Sequence, residues 1–396
     1  MVSFRIFALG TLAAVLLSTP LIDAQNLNLD NRYIVKLKGE ADSKQVDRFL
    51  KSKLDQYNRG RSGGNAIRNE LRTKFNLNNF KAYAGTLSQA LVSELSSHSD
   101  IEFIEAEQEY SLSESQSNPP SWGLPRISQR ELDLTAPYNY PTSAGEGVDV
   151  YVLDTGIYAA HEEFEGRASL PVSFIQGEEA EDLNGHGTHV AGTVGGKTFG
   201  VAKKVKLIGV KVLSGQGTGS TSGVISGINW VAEQAKSSGR KSVANLSLGG
   251  GKSAALTAAV EEAVKAGVSF IVAAGNESQD ACNVSPANAP SAFAVGSTTP
   301  TDSRRYTSNW GACVQISAPG TEINSAYIGS VNANKKLSGT SMASPHVAGV
   351  AALLLAEGQV STPKQVYAAL TSAATKDVLT DLKGATPNLL LYSSSA

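Results

Sequence analysis

The chain has 396 residues, of which 41% are hydrophobic and 18% charged, and this balance is typical of a globular protein long enough for more than one domain. The formal net charge of −2 argues against nucleic acid as a partner, because the short basic pairs at 203–204 and 304–305 are typical of solvated faces.

Residues 1–24 have the layout of a secretory signal peptide. Arg5 precedes an apolar run at 6–17, and the small residue Ala24 ends the segment. This run is too short to span a bilayer, so we expect no membrane association after the signal is removed. The predicted localisation is extracellular, and a signal peptide leaves a vacuolar destination open.

Residues 25–116 are predicted to form a small α+β unit. Strands are predicted at 32–37, 80–87 and 101–105, helices at 43–57 and 88–98, and a polar loop at 58–64. The serine-rich stretch 111–121 has the composition of an exposed linker. Because such linkers are preferred sites of proteolysis, we expect the mature chain to begin within 113–121.

From residue 117 to residue 396, short apolar strands alternate with helices. Strands are predicted at 148–153, 206–212, 242–247, 268–274 and 292–295, and helices at 185–195, 219–238, 253–266, 339–357 and 363–374. This alternation predicts an α/β fold of three layers, a mostly parallel sheet with helices on both faces. Reactive groups in such a fold collect at the carboxyl ends of the strands.

Three separate stretches place a serine, a histidine and an aspartate in settings that suit catalysis. Ser341 lies in a small-residue turn that leads into an apolar helix, where free N–H groups favour a developing negative charge. Glycines on both sides of His186 leave its imidazole uncrowded, and Asp154 directly follows an apolar strand. For Asp154 alone, a turn or helix cap is an alternative, and His186 with His189 could in principle ligate a metal. The order Asp154, His186, Ser341 is one of the chain orders known for hydrolase triads.

The chain contains two cysteines, Cys282 and Cys313. In an exported protein this pair predicts a disulfide, and the alternative is two free buried thiols. Without nearby histidines, the two cysteines cannot complete a tetrahedral metal site.

The motifs at 154–156 (DTG), 185–189 (GHGTH) and 339–346 (GTSMASPH) match the signatures of the subtilisin-like serine protease family. Further segments resemble its fungal proteinase K-like subgroup, namely 122–124, 200–204, 247–251 and 388–390. Residues 33–110 resemble the family's inhibitory propeptide, which implies a ferredoxin-like first domain that acts as an intramolecular inhibitor. The resemblance implies a secreted endopeptidase, made as an autoprocessed precursor, that acts on proteins and peptides.

The resemblance also implies roles for individual residues. Ser341 is the nucleophile, His186 the general base, Asp154 the residue that orients it, and Asn276 an oxyanion donor. The implied substrate-binding residues are Gly217, Gly219, Ser247, Leu248, Gly249, Ala273, Ala274 and Gly275. Because these residues carry no charge, we expect a preference for aromatic or large aliphatic residues before the cut bond.

The chain departs from the subgroup at its calcium site, where Gln315 replaces a carboxylate, although Pro290 and Ala292 could still offer carbonyl groups. No cofactor is expected for catalysis, and any structural calcium should bind weakly. Sequons begin at Asn276 and Asn283, and we place any glycan on Asn283, since a glycan on Asn276 would block the site. A monomer is the default expectation.

Two other classes of function compete with the protease. A secreted binding protein could keep the fold without activity, but such chains usually have a broken triad. A lipase or esterase is disfavoured by the triad order and by the Gly-Thr-Ser-Met-Ala context of Ser341, which lacks the Gly-x-Ser-x-Gly elbow.

Overall fold

The structure is a computed structural model that describes residues 31–59, 67–78, 80–107 and 113–394. The chain divides into two compact units, Met1–Glu109 and Tyr110–Ala396. The predicted signal peptide and the end of the predicted loop at 58–64 lie outside the described residues. Within the described ranges, no helix is long and apolar enough to cross a membrane.

The first unit packs helices against an antiparallel sheet, as predicted. Its elements are β1 (Arg32–Leu37), α1 (Ser43–Asn58), β2 (Glu70–Leu77), β3 (Phe80–Thr86), α2 (Gln89–Leu95) and β4 (Ile101–Ala106). The strands lie in the order β2–β3–β1–β4. Val35 and Leu37 of β1 meet Leu50 of α1 and Leu91 of α2 in a buried core. Strand β2 was not predicted, because most of its residues are exposed and show no apolar alternation.

The second unit holds a long central sheet covered by helices. Its elements are β5 (Ser113–Gln116), α3 (Gly123–Ser128), β6 (Tyr138–Pro141), β7 (Asp149–Asp154), β8 (Ala168–Ser173), α4 (His186–Gly195), β9 (Lys206–Lys211), α5 (Thr221–Ser238), β10 (Ser242–Leu246), β11 (Gly250–Gly251), α6 (Ala254–Lys265), β12 (Ser269–Ala273), β13 (Val284–Ser285), β14 (Phe293–Thr298), β15 (Ile316–Pro319), β16 (Ile323–Ala326), β17 (Asn334–Leu337), α7 (Thr340–Ala356), α8 (Pro363–Ala373), β18 (Thr375–Lys376) and β19 (Leu389–Leu390). Short 3₁₀ helices lie at Glu162–Phe164 and Ala281–Asn283.

The central sheet runs β18–β19–β15–β14–β12–β10–β7–β9–β8 and is parallel except for the β18–β19 pair. Val150 and Val152 of β7 face a core that includes Val190 of α4 and Val347 of α7. The intervening residues of β7 face a second core with residues of α5 and α6. Helices therefore cover both faces, which confirms the predicted fold class.

Residues 113–116 correct the linker prediction. The stretch is mostly exposed, as expected, but 113–116 form β5, which pairs antiparallel with β6 from Ser113 opposite Pro141 to Gln116 opposite Tyr138. Composition alone missed the strand, because its hydrogen bonds come from a partner that lies further along the chain.

Candidate active site

The candidate residues follow the carboxyl ends of adjacent parallel strands. Asp154 is the last residue of β7, Ser247 follows β10, and Ala274 follows β12. Since these strands are neighbours, their ends share one edge of the sheet. Helices α4 and α7 contribute His186 and Ser341 to this edge.

Asp154 and His186 form a direct pair. The Asp154 carboxylate is fully buried and lies 2.7 Å from Nδ1 of His186, whose side chain is 26% exposed. With Nδ1–H donated to Asp154, Nε2 of the neutral ring is free to accept a proton. Burial by itself would lower the pKa of His186, but the charge and hydrogen bond of Asp154 and the charge of Asp182 raise it above its ordinary value.

Asp182 holds the beginning of α4, a role that the sequence analysis did not assign. One carboxylate oxygen accepts from Thr155 Oγ1 at 2.8 Å and from the N–H groups of Asn184 and Gly185. The other accepts from the N–H of Thr188 at 2.9 Å. An acid shortly before the beginning of a helix is a capping signal, so the sequence could have indicated that Asp182 caps α4. The hydrogen bond with Thr155 depends on the fold.

Ser341 is held by Ser247, which replaces a helical hydrogen bond that a proline cannot make. Pro345 has no N–H, so it cannot donate to the carbonyl oxygen of Ser341 four residues earlier in α7. Ser247 Oγ donates to that oxygen instead, at 2.8 Å. In return, Ser341 Oγ donates to the Ser247 carbonyl at 3.1 Å. The nucleophile candidate is therefore fixed to the segment that follows β10.

Asn276 is oriented by the residue before Ser341. Its Oδ1 accepts from the N–H of Thr340 at 2.9 Å, and Thr340 Oγ1 accepts from the N–H of Gly275 at 3.1 Å. Among the described residues, the amide nitrogen of Asn276 has no acceptor, so it can donate to a ligand. Gly339 has a φ of 152°, which side chains disfavour, and a Cβ there would lie 3.3 Å from Asn276 Oδ1.

Two cavities share the wall formed by residues 247–251. One has a volume of about 470 Å³, and the residues that line it include His186, Leu213, Gly217 and Gly219. The other has a volume of about 440 Å³, and its lining includes Ala273, Gly275, Asn276 and Ser341. Ser247, Leu248 and Gly249 line both. The predicted substrate-binding residue Ala274 is fully buried and lines neither cavity.

Glu277 adds a charged side chain to the lining of the second cavity, whereas the predicted substrate-binding residues are all uncharged. It lines the second cavity, where its carboxylate accepts from the N–H of Asn276 and from Nδ2 of Asn309 at 2.8 Å. The sequence could not predict this contact, because the direction of the side chain depends on Asn309, which is distant in sequence.

The other buried histidines of the site region are neutral. Nε2 of His189 donates toward the carbonyls of Ile323 and Lys335, and burial lowers the pKa of His189 to about 4. Burial also lowers the pKa of His346 to about 4. These contacts give His189 a structural role. Within the described residues, no group of three or more His, Cys, Asp or Glu side chains could hold a metal ion.

Gln315 does not fit a tight calcium site. Its Oε1 accepts a hydrogen bond of 2.5 Å from the N–H of Ala294, so the neutral oxygen is already engaged. Calcium prefers several unengaged oxygen ligands, carboxylates among them.

Cys282 and Cys313 form a disulfide across a sequence separation of 31 residues. The bond joins the 3₁₀ helix beside the second cavity to the segment that precedes β15. Asn283 is exposed and lines that cavity.

Comparisons with known proteins find matches to both units of the chain. The profile described as "Subtilase family" matches residues 145–390, and the profile "Peptidase inhibitor I9" matches residues 32–113. The alkaline protease 1 of Aspergillus clavatus is 43% identical, covering 93% of this chain and 92% of the relative. The cuticle-degrading protease of Metarhizium anisopliae is 47% identical, covering 80% and 81%. A crystal structure of a cold adapted subtilisin-like serine proteinase matches with a TM-score of 0.65 and 53% identity, over 69% of this chain and 97% of that one.

Proposed function

Because the chain belongs to the subtilase family of serine proteases and carries an inhibitor I9 segment, we propose that it is a secreted endopeptidase made as an autoprocessed precursor. The observation that carries this proposal is the buried Asp154 carboxylate, 2.7 Å from His186 Nδ1, on the same strand edge as Ser341. This pairing leaves Nε2 of His186 as the base for a serine hydroxyl.

In the proposed reaction, the Ser341 hydroxyl leaves the Ser247 carbonyl, transfers its proton to Nε2 of neutral His186 and attacks the peptide carbonyl. The imidazolium that forms is stabilised by Asp154. His186 then delivers the proton to the leaving amine. As the amine leaves, the rest of the substrate stays bonded to Ser341 as an acyl-enzyme. A water molecule, deprotonated by His186, then attacks this ester and releases the second product.

Asn276 stabilises the tetrahedral intermediate through its amide N–H, together with the backbone N–H of Ser341. The contact of Thr340 with Asn276 Oδ1 supports this role, because it directs the amide nitrogen away from Thr340 before substrate arrives. A donor that is already oriented needs no reorganisation when negative charge develops on the oxygen.

The substrate binds as an added β-strand along residues 214–219 and 247–250, whose glycines allow a close approach of backbones. The residue before the cut bond enters the second cavity, which Ala273 and Leu248 line. We propose a broad specificity that prefers aromatic or large aliphatic residues. The apolar side chains of Leu248 and Ala273 in the lining of this cavity support the preference.

The precursor is directed out of the cell by residues 1–24 and inhibited by residues 25–116. The enzyme cuts within 113–121 to release the catalytic domain. We propose that catalysis needs no cofactor, that Asn283 carries any glycan, and that the enzyme is a monomer. Calcium binding near Gln315 is weak, in agreement with the engaged amide oxygen.

The test is the intact mass of the exported protein, for the wild type and for Ser341→Ala. The proposal expects the wild type to lose the segment before about residue 117 and Ser341→Ala to keep it. If both are trimmed alike, another protease performs the cut and self-processing is refuted. If neither is trimmed and the wild type does not cleave casein, the protein is an inactive binder. Hydrolysis of a long-chain lipid ester in preference to casein would instead support an esterase.

A further inference from the structure

An ion pair behind the cleft links the catalytic acid to the segment 213–219. Lys211 is fully buried, and its backbone lies opposite that of Asp154 where β7 and β9 run side by side. Its ammonium lies 3.0 Å from a carboxylate oxygen of Glu178. The carboxylate lies in the loop between β8 and α4 and is 19% exposed.

The other contacts of Lys211 reach both sides of the site. Its Nζ donates to the carbonyl of Thr155 at 2.9 Å and to the carbonyl of Leu213 at 3.1 Å. Thr155 directly follows the catalytic acid candidate Asp154, and Leu213 lines the first cavity. One ammonium group therefore holds the loop after β7 and the beginning of the cleft segment together.

Glu178 continues this link along the cleft segment. Its two oxygens accept from the N–H of Gly215 at 3.2 and 3.0 Å. The hydrogen bond from Lys211 lowers the pKa of Glu178, so the carboxylate is ionised at neutral pH. Asn184 Nδ2 donates to the carbonyl of Gly215 at 3.0 Å. Both backbone polar groups of Gly215 are thus occupied by side chains of the loop between β8 and α4.

We propose that Glu178 and Lys211 are positioning residues for extended substrates: they fix residues 213–215 so that the following cleft segment is ready to pair with the residues that precede the cut bond. This inference rests on the proposed endopeptidase function. It assigns the pair to the binding of distant substrate residues, because its contacts are to the backbone of the cleft segment and to Thr155, and not to His186 or Ser341.

The test compares two thiobenzyl esters with the same leaving group, acetyl-Phe and acetyl-Ala-Ala-Pro-Phe. Matured wild type, Glu178→Gln and the control Glu179→Gln are compared, with enzyme concentrations set by active-site titration. Glu179 is exposed and does not contact Gly215, so Glu179→Gln removes one negative charge from the same loop without disturbing the cleft segment. For Glu178→Gln we expect a KM about tenfold higher for the tetrapeptide ester, and kcat/KM for acetyl-Phe ester within about twofold of wild type, because one charge-assisted hydrogen bond is lost.

A second variant separates positioning from the effect of an unpaired buried charge. The double change Lys211→Met and Glu178→Leu removes both charges, and such replacements often restore stability. We expect its melting temperature to recover toward wild type while the tetrapeptide defect persists, because the N–H of Gly215 and the carbonyl of Leu213 have lost their side-chain partners.

Equal losses on both esters, or a double variant with the KM of wild type, would overturn the positioning role. So would a Glu178→Gln variant that matches Glu179→Gln on both esters. If the matured wild type hydrolyses neither ester, the proposed function fails, which is a distinct outcome.

Discussion

Removal of the disulfide should destabilise the catalytic unit by an amount that its loop length sets. Cys282 and Cys313 are separated by 31 residues, and the chain-entropy relation gives an unfolded-state entropy loss of about 12 cal/mol/K for this loop. At 25 °C this corresponds to about 3.7 kcal/mol. For a unit of this size the unfolding entropy is roughly 0.6 kcal/mol/K, so the double Cys→Ala variant should melt ~6 °C lower.

The assay is thermal and urea unfolding of the full chain with Ser341→Ala, so that no self-digestion occurs. Each single variant, Cys282→Ala or Cys313→Ala, should lose about as much stability as the double, because either one removes the bond. Reduction of the parent with dithiothreitol should reproduce the loss. A loss in the double variant below about 1 kcal/mol, or single losses that add up in the double, would refute the loop-closure reasoning.

The remaining predictions concern catalysis and metal. Asn276→Ala should lower kcat about 10²–10³-fold and leave KM nearly unchanged, since it removes a donor used by the transition state; an equal rise in KM would contradict this. Because Asp154 raises the pKa of His186 above its ordinary value, kcat/KM should fall as the pH drops through this raised pKa, since the protonated imidazole cannot accept the serine proton. Asp154→Asn should move this acid limb to lower pH and reduce kcat about 10⁴-fold, and a limb that does not move would exclude His186 as its source. Millimolar calcium should raise the melting temperature of Gln315→Asp and not that of the parent; a chelator that destabilises the parent would contradict this.

The local motifs were sufficient to place the candidate catalytic groups. A glycine before Ser341, glycines around His186 and an acid after an apolar strand each describe a local backbone geometry, so they can be recognised in a short stretch of sequence. Strand and helix periodicity similarly predicted the layered fold, because burial on both faces requires apolar strands.

The contacts that hold these groups could not be predicted from the sequence. Thr340 orients Asn276, which is 64 positions away in the chain. Similarly, a hydrogen bond from Asn309 holds the Glu277 carboxylate at the second cavity. The strand at 113–116 was missed for the same reason, since a polar strand exists only through the hydrogen bonds of its partner.

The sequence by itself predicted the fold class and the candidate triad, because both are recognised from local patterns, namely apolar strands that alternate with helices and a short motif around each triad residue. Only the tertiary structure decided how the cleft is supported: Glu178 reaches Gly215, and Lys211 reaches Thr155, only when β7, β8 and β9 lie side by side. A buried charge is stabilised by partners that are close in space. When those partners are distant in the chain, no local sequence pattern reveals them.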